Sequence, residues 1–348
     1  MPNKRILIFG HAESTHIYKW STSLAKRGYQ VRIVSFGTKE IEGVDVVTIP
    51  KKNKSSYFSS MFLAKKYALE FKPDIVHVHY AGGYGIWGLH TDIRPTLVSV
   101  WGSDINESAK KFPNNYFIKK LLSKAAFVTS TSDSLKSNTI ELLPSVKEKI
   151  ITIPFGVRIP ETQFEFPDSK NPSAVYLKQL EPIYAPDLLI KATRKVVAKF
   201  PDFKLNIGGE GTMKQQLQDL IDSLKLNANV SIIGFYDNQK IYDLIKEQSF
   251  LVMPSLQEGF GVAAVEAFAC SRPVVATNVG GIPEIVTDNQ NGYLVEPNNV
   301  DALADAMIRM LSNRENMIKM GQNGYKVAKE KYDWEKSVAQ MVELYEMY

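Results

Sequence analysis

Glu258 and Glu266 bracket the stretch Glu258-Gly-Phe-Gly-Val-Ala-Ala-Val-Glu266. Two carboxylates at such a spacing suit either an acid/base pair or the recognition of ligand hydroxyls. Before them lies Ser249-Phe-Leu-Val-Met-Pro-Ser255, an apolar run ended by proline; after them comes Arg272-Pro-Val-Val-Ala-Thr277. Both runs read as short buried strands. The carboxylates therefore sit on a strand–loop–helix corner, where open α/β sheets bind ligands. Gly259 and Gly261 permit close backbone approach. The first N–H groups of the helix would face an anion or a sugar hydroxyl. The alternative is a surface turn with solvated glutamates. Against it stands Gly280-Gly-Ile-Pro-Glu284, a second glycine turn with a carboxylate after the next strand.

The elements that must hold this corner alternate between strand and helix along the whole chain, which predicts α/β units with parallel sheets covered on both faces. Arg5–Phe9, Gln30–Ser35, Val44–Ile49, Asp74–His79, Thr96–Val100, Phe127–Ser130 and Ile150–Pro154 read as strands of a first series. A second series starts at Ser173–Leu177 and runs through Phe203–Ile207, Val230–Ile233, Phe250–Met253, Val274–Ala276 and Gly292–Val295. Between them, residues 160–172 are rich in proline and polar side chains and read as a linker. A length of 348 residues also favours two domains over one core.

Three stretches, Pro254-Ser-Leu-Gln-Glu-Gly-Phe-Gly261, Glu266–Thr277 and Gly280–Glu284, resemble in order and spacing the donor-binding half of glycosyltransferase family 4. The resemblance implies the GT-B fold: two Rossmann-like α/β domains facing across a cleft, with a C-terminal helix crossing back to the first domain. The domains would be 1–165 with the return helix 332–348, and 166–331. The implied activity is retaining transfer of a hexose from a nucleotide sugar, UDP-linked, to a glycan or lipid-linked acceptor in cell-envelope or capsular polysaccharide synthesis. The alternative is a catalytically silent partner or chaperone of another transferase.

By the same resemblance, Glu266 would bind the ribose hydroxyls. Glu258, with the backbone at Gly259, Phe260 and Gly261, would hold the donor sugar. Gly209, in Gly208-Gly-Glu-Gly211, would lie near the nucleotide. The diphosphate stretch departs from the family pattern of Gly-Arg-Leu followed by Lys-Gly. Gln179 falls at the arginine and Tyr184 at the lysine, leaving Lys178, one position away, to neutralise the leaving group. No D-x-D triplet occurs. No metal and no cofactor are expected; positive side chains and helix N-termini take that role.

The first domain would take the acceptor. Gly10-His-Ala-Glu-Ser-Thr-His16 follows the first strand and opens a helix that Ser14 or Thr15 can cap, placing His16 at its N-terminus. The helix dipole disfavours a charged histidine there. His77 and His79 share one face of their strand by alternation. His79, nearer the carboxyl end, is the site candidate and His77 the core one. In Val98-Ser-Val-Trp-Gly-Ser-Asp104, Trp101 would stack on a sugar or pack, and Asp104 would either serve the reaction, orienting the acceptor or stabilising positive charge at the reaction centre, or cap the next helix.

Charge is uneven. Residues 1–165 carry 23 Lys and Arg against 14 Asp and Glu, whereas the rest carry 19 against 23. Lys51-Lys-Asn-Lys54, Lys65-Lys66, Lys110-Lys111 and Lys119-Lys120 with Lys124 interleave with aromatic and aliphatic residues. Such segments suit contact with an anionic membrane, or are amphipathic helices with solvated lysines. No nucleic-acid module is recognisable, so nucleic acid is not an expected partner. The lone Cys270 rules out an internal disulfide and fits a cytoplasmic protein, either free or at the inner face of the cell membrane.

Overall fold

The computed structural model describes residues 4–51, 53, 55–167, 172–236 and 240–348. Lys52 and Lys54 of the first lysine run lie outside the described residues. The chain forms two compact units, Met1–Pro154 with Ser337–Tyr348, and Phe155–Lys336.

In the first unit, β1 (Arg5–Phe9), β2 (Gln30–Ser35), β3 (Asp45–Thr48), β4 (Ile75–His79), β5 (Thr96–Val100), β6 (Phe127–Ser130) and β7 (Ile150–Thr152) form one sheet in the order β3-β2-β1-β4-β5-β6-β7. In the second, β8 (Ser173–Leu177), β9 (Lys204–Gly208), β10 (Val230–Gly234), β11 (Phe250–Met253), β12 (Val274–Thr277) and β13 (Gly292–Val295) form another, ordered β10-β9-β8-β11-β12-β13. Every neighbouring pair in both sheets is parallel. Central strands such as β4, β5, β8 and β11 are buried along their whole length, because helices cover both faces. That is why they read as continuous apolar runs.

Each sheet reverses its winding once, between β1 and β4 and between β8 and β11. A crevice opens at the carboxyl ends of strands at such a reversal, since the following helices leave toward opposite faces. Beneath the first lies a core with Leu7, Phe9, Val78, Val98 and Trp87; beneath the second, one with Tyr176, Ile207, Phe203, Phe250 and Val252. Phe203 and Phe250 stack at 6.2 Å between ring centroids.

The proline-rich stretch near 160 is packed onto the second unit. The buried Arg272 guanidinium donates to the Glu165 carbonyl, and its plane lies 4.5 Å from the Phe166 ring. Tyr242, Tyr325 and Arg314 donate to the carbonyls of Arg158, Pro160 and Pro167. These bonds explain why the units divide at Pro154 and not at the expected 165. At the other end, the last helix, Trp334–Glu346, continues into the first unit from Ser337 onward.

Candidate active site

In the second unit, the loops after the adjacent strands β8 and β11 carry Lys178 and Glu258. Lys178 Nζ donates to Glu258 Oε2 at 2.6 Å, with Lys178 25% and Glu258 9% exposed. The ammonium also lies 4.8 Å from the centre of the Tyr184 ring. Burial pulls the Lys178 ammonium down, but the Glu258 carboxylate and the Tyr184 phenol outweigh it, and the net shift is upward. Lys178 is therefore a fixed positive charge at the mouth of the crevice. Gln179 is exposed, and its carbonyl accepts from the Tyr176 hydroxyl at 2.9 Å.

Backbone contacts from glycine turns hold the two charged residues. The Lys178 N–H donates to the Gly208 carbonyl and the Leu180 N–H to that of Glu210. Gly209 has φ +146, and a Cβ there would stand 1.9 Å from the Lys178 carbonyl oxygen. Gly280, with φ +54, packs the same way under Glu258: its Cβ would fall 1.8 Å from the Glu258 carbonyl oxygen. The Gly281 N–H donates to that carbonyl, and the Leu256 N–H to the Ile183 carbonyl at 2.8 Å, joining the two loops.

Gly261, with φ +107, opens the helix Val262–Ala269, whose first N–H groups have no intrahelical acceptor. The Phe260 ring is buried edge-on against Phe155 and Tyr332, so only its backbone is offered to a ligand. Glu266 is half-buried on this helix. Its field reaches Lys178 and the phenols of Tyr236 and Tyr242. Burial pushes the Tyr236 phenol up to about 12, with Glu266 adding to the shift. Tyr236 escaped the sequence reading; its signal was an aromatic residue just past the end of β10.

In the first unit, Trp101 follows β5 and brings two histidines together. Its ring lies edge-on to His16 at 5.5 Å and to His79 at 5.6 Å. His16 stands in the first turn of the helix Thr15–Lys26, with Ser14 at the N-cap position but making no side-chain bond there. His79 is 1% exposed, and neither of its ring nitrogens has a hydrogen-bond partner. Burial, then the neighbouring His77 and His16, hold its pKa well below the usual range, so it is neutral. Its ring lies 3.9 Å from that of His77, on the same strand face. His77 is satisfied: Nδ1 is 2.6 Å from the Tyr345 hydroxyl and Nε2 is 2.8 Å from Ser99 Oγ.

Asp104 is corrected on both expected roles. Its carboxylate is fully buried and accepts from the N–H groups of Ala81, Trp101, Gly102 and Ile105 at 2.9–3.2 Å. It neither faces a ligand nor stands at the N-cap of the short helix Ser103–Asn106; Gly102, with φ +135, occupies that place. Burial raises the carboxyl pKa and the four N–H donors oppose it. Asp104 is a positioning residue that fixes the turn carrying Trp101. Among the described residues, no group of three or more His, Cys, Asp and Glu could hold a metal ion.

Two sequence-family models match the chain. "Glycosyl transferase 4-like" covers residues 5–132, and "Glycosyl transferases group 1" covers 158–327. An uncharacterized glycosyltransferase of Methanocaldococcus jannaschii is 28% identical over 90% of this chain and 87% of its own. The N-acetyl-alpha-D-glucosaminyl L-malate synthase of Bacillus anthracis is 27% identical over 78% and 74%. Among solved structures, Anabaena HepE in complex with UDP and glucose superposes with a TM-score of 0.84 at 19% identity, over 99% of this chain and 100% of that one. With motifs, paired parallel sheets and relatives in agreement, the chain belongs to the group 1 glycosyltransferases of family 4 and has the GT-B fold.

Proposed function

We propose that the chain transfers a hexose from a UDP-linked sugar, with retention at the anomeric carbon and without a metal ion, to a glycan or lipid-linked acceptor of the cell envelope or capsule. The observation that carries this reading is the Lys178–Glu258 pair at the β8/β11 reversal. The names of two relatives agree with it: the Bacillus anthracis enzyme makes an alpha-D-glucosaminyl product, and the Anabaena structure holds UDP and glucose.

In this reaction the bond from the anomeric carbon to the diphosphate oxygen breaks, and a bond to the acceptor oxygen forms on the same face as the acceptor hydroxyl's proton passes to the departing diphosphate oxygen. The leaving diphosphate gains charge as the bond stretches. Lys178 meets that charge, together with the first N–H groups of Val262–Ala269. Glu258 then exchanges its ammonium partner for donor sugar hydroxyls, and Glu266 accepts from the ribose. In the first unit, neutral His79 offers its ring nitrogens to an acceptor hydroxyl beside Trp101, with His16 against the same indole. Among the described residues no helix is long and apolar enough to cross a membrane. We place the protein in the cytoplasm, at the inner face of the membrane.

A melting scan with UDP and UDP-sugars tests the donor, since a ligand of the native state raises its stability. Turnover or slow donor hydrolysis should persist in excess EDTA, and loss of both would overturn metal independence. If no nucleotide or nucleotide sugar raises the melting temperature and none is hydrolysed, the silent-partner reading replaces this one.

A further inference from the structure

Tyr184 stands at the position where the resemblance to family 4 places a lysine. Its ring meets the cation that remains. The Lys178 ammonium lies 4.8 Å from the centre of the Tyr184 ring and 2.6 Å from Glu258 Oε2. Two groups therefore hold one ammonium, and they differ in kind. Glu258 is an anion. While it is paired, it cancels the charge that a leaving diphosphate needs. The Tyr184 ring is neutral. It attracts a cation through its quadrupole and leaves the positive charge uncancelled.

The turn that carries the ring is fixed from three sides. Within Pro182–Tyr184, the Tyr184 N–H donates to the Glu181 carbonyl at 2.9 Å. The Glu181 carboxylate accepts from the Thr212 N–H at 2.9 Å and from the Thr212 hydroxyl at 2.6 Å, which ties the turn to the loop after β9. The Ile183 carbonyl accepts from the Leu256 N–H at 2.8 Å, which ties it to the loop after β11. Ala185, with φ +48, then leads into the helix Pro186–Lys199. The Tyr184 side chain is half-buried and packs against the core of the second unit.

Core packing accounts for an aromatic residue at this place, but any apolar side chain of that size would serve it. It does not account for an ammonium resting on the ring. A lysine side chain is long and flexible, and fixing it costs more rotamer entropy than fixing most others. A ring that is itself held by the core and by two neighbouring loops takes up part of that cost in advance. When donor sugar hydroxyls displace the ammonium from Glu258, the ring is the partner that stays. We propose that Tyr184 is the positioning residue for Lys178: its ring face keeps the ammonium at the diphosphate after Glu258 has let go, so that one cation on a neutral ring does the work of two cations. This proposal rests on the transferase reading of Lys178.

The test is isothermal titration of the full chain with UDP. Tyr184→Leu keeps an apolar side chain but has no ring face, and it should weaken UDP binding roughly tenfold, the range of a partly desolvated cation–ring contact. Tyr184→Phe keeps the face and loses the hydroxyl, and it should recover most of that loss. In a Lys178→Ala background Tyr184→Leu should cost nothing further, because no ammonium is left to hold. If Tyr184→Leu melts lower than the wild type, Tyr184→Met takes its place in the same comparison. Equal losses with and without Lys178 would make Tyr184 a packing residue and overturn the proposal. So would a Phe variant as weak as the Leu variant, since the hydroxyl would then be acting on the ligand itself, or a Leu variant that binds like the wild type. A wild type that binds no UDP sinks the transferase reading together with this proposal, whereas UDP binding with independent effects at the two positions sinks the proposal alone.

Discussion

In the proposed transfer, Lys178 is the residue on which the chemistry would turn. It stands one position from where the family keeps its arginine, yet the loop after β8 still delivers its ammonium to Glu258. A point charge lacks the bidentate fork of a guanidinium. It gains here from partial burial, where a charge acts through a lower dielectric. Lys178→Ala should lower kcat by about 10²–10³-fold, the usual loss when one stabilising donor is removed. Glu258, left without its cation, should not restore turnover. Glu266→Ala should raise the Kd for UDP while Glu258→Gln leaves it unchanged and lowers turnover. Isothermal titration with UDP separates the two, and equal UDP affinity in wild type and Glu266→Ala would sink the ribose assignment.

At the scale of elements, the strands were legible because buried parallel strands are continuous apolar runs, and the helix of Glu266 because glycine precedes a small-residue stretch. Lys178 and Glu258 could each be singled out, but their contact could not, since it depends on β8 lying beside β11. The same limit hid the work of Gly209 and Gly280, which reads locally as ordinary turn chemistry. Asp104 misled for a related reason: a carboxylate after a strand looks alike whether it faces a ligand or four backbone N–H groups. Gly280→Ala tests the packing. The new methyl would meet the Glu258 carbonyl oxygen, on top of about 1–2 kcal/mol for a left-handed alanine. Turnover should fall by more than tenfold because Glu258 must shift. Gly28→Ala is the control: φ is +89 but nothing lies within 4 Å of the added atom. It should lower the melting temperature and spare turnover. Equal kinetic losses in the two variants would mean that strain, not displacement of Glu258, is responsible.

Over the whole molecule, the last helix ties the chain's end to the first unit near its beginning. Tyr345 is buried with its hydroxyl on His77, and Glu346 accepts from the Tyr29 hydroxyl and pairs with Lys4. A histidine closed in this way cannot take a proton without losing its place. Burial lowers the His77 pKa from 6.5 to about 3, and that of His79 well below 6.5. Below pH 6.5 the unfolded chain therefore binds protons that the folded unit refuses. For His77 the stabilisation is complete above pH 6.5 and is lost as pH falls toward 3, at about 1.4 kcal/mol per pH unit, and His79 adds to the loss in the same direction. Melting temperatures across this window should drop steeply for the wild type. His77→Asn/His79→Asn should melt lower at neutral pH, because a cavity remains, yet show a shallower slope in acid. Tyr345→Phe keeps both imidazoles and should keep the slope while lowering the whole curve. Parallel curves for the wild type and the double variant would show that carboxylates, not this histidine pair, set the acid limit of the fold.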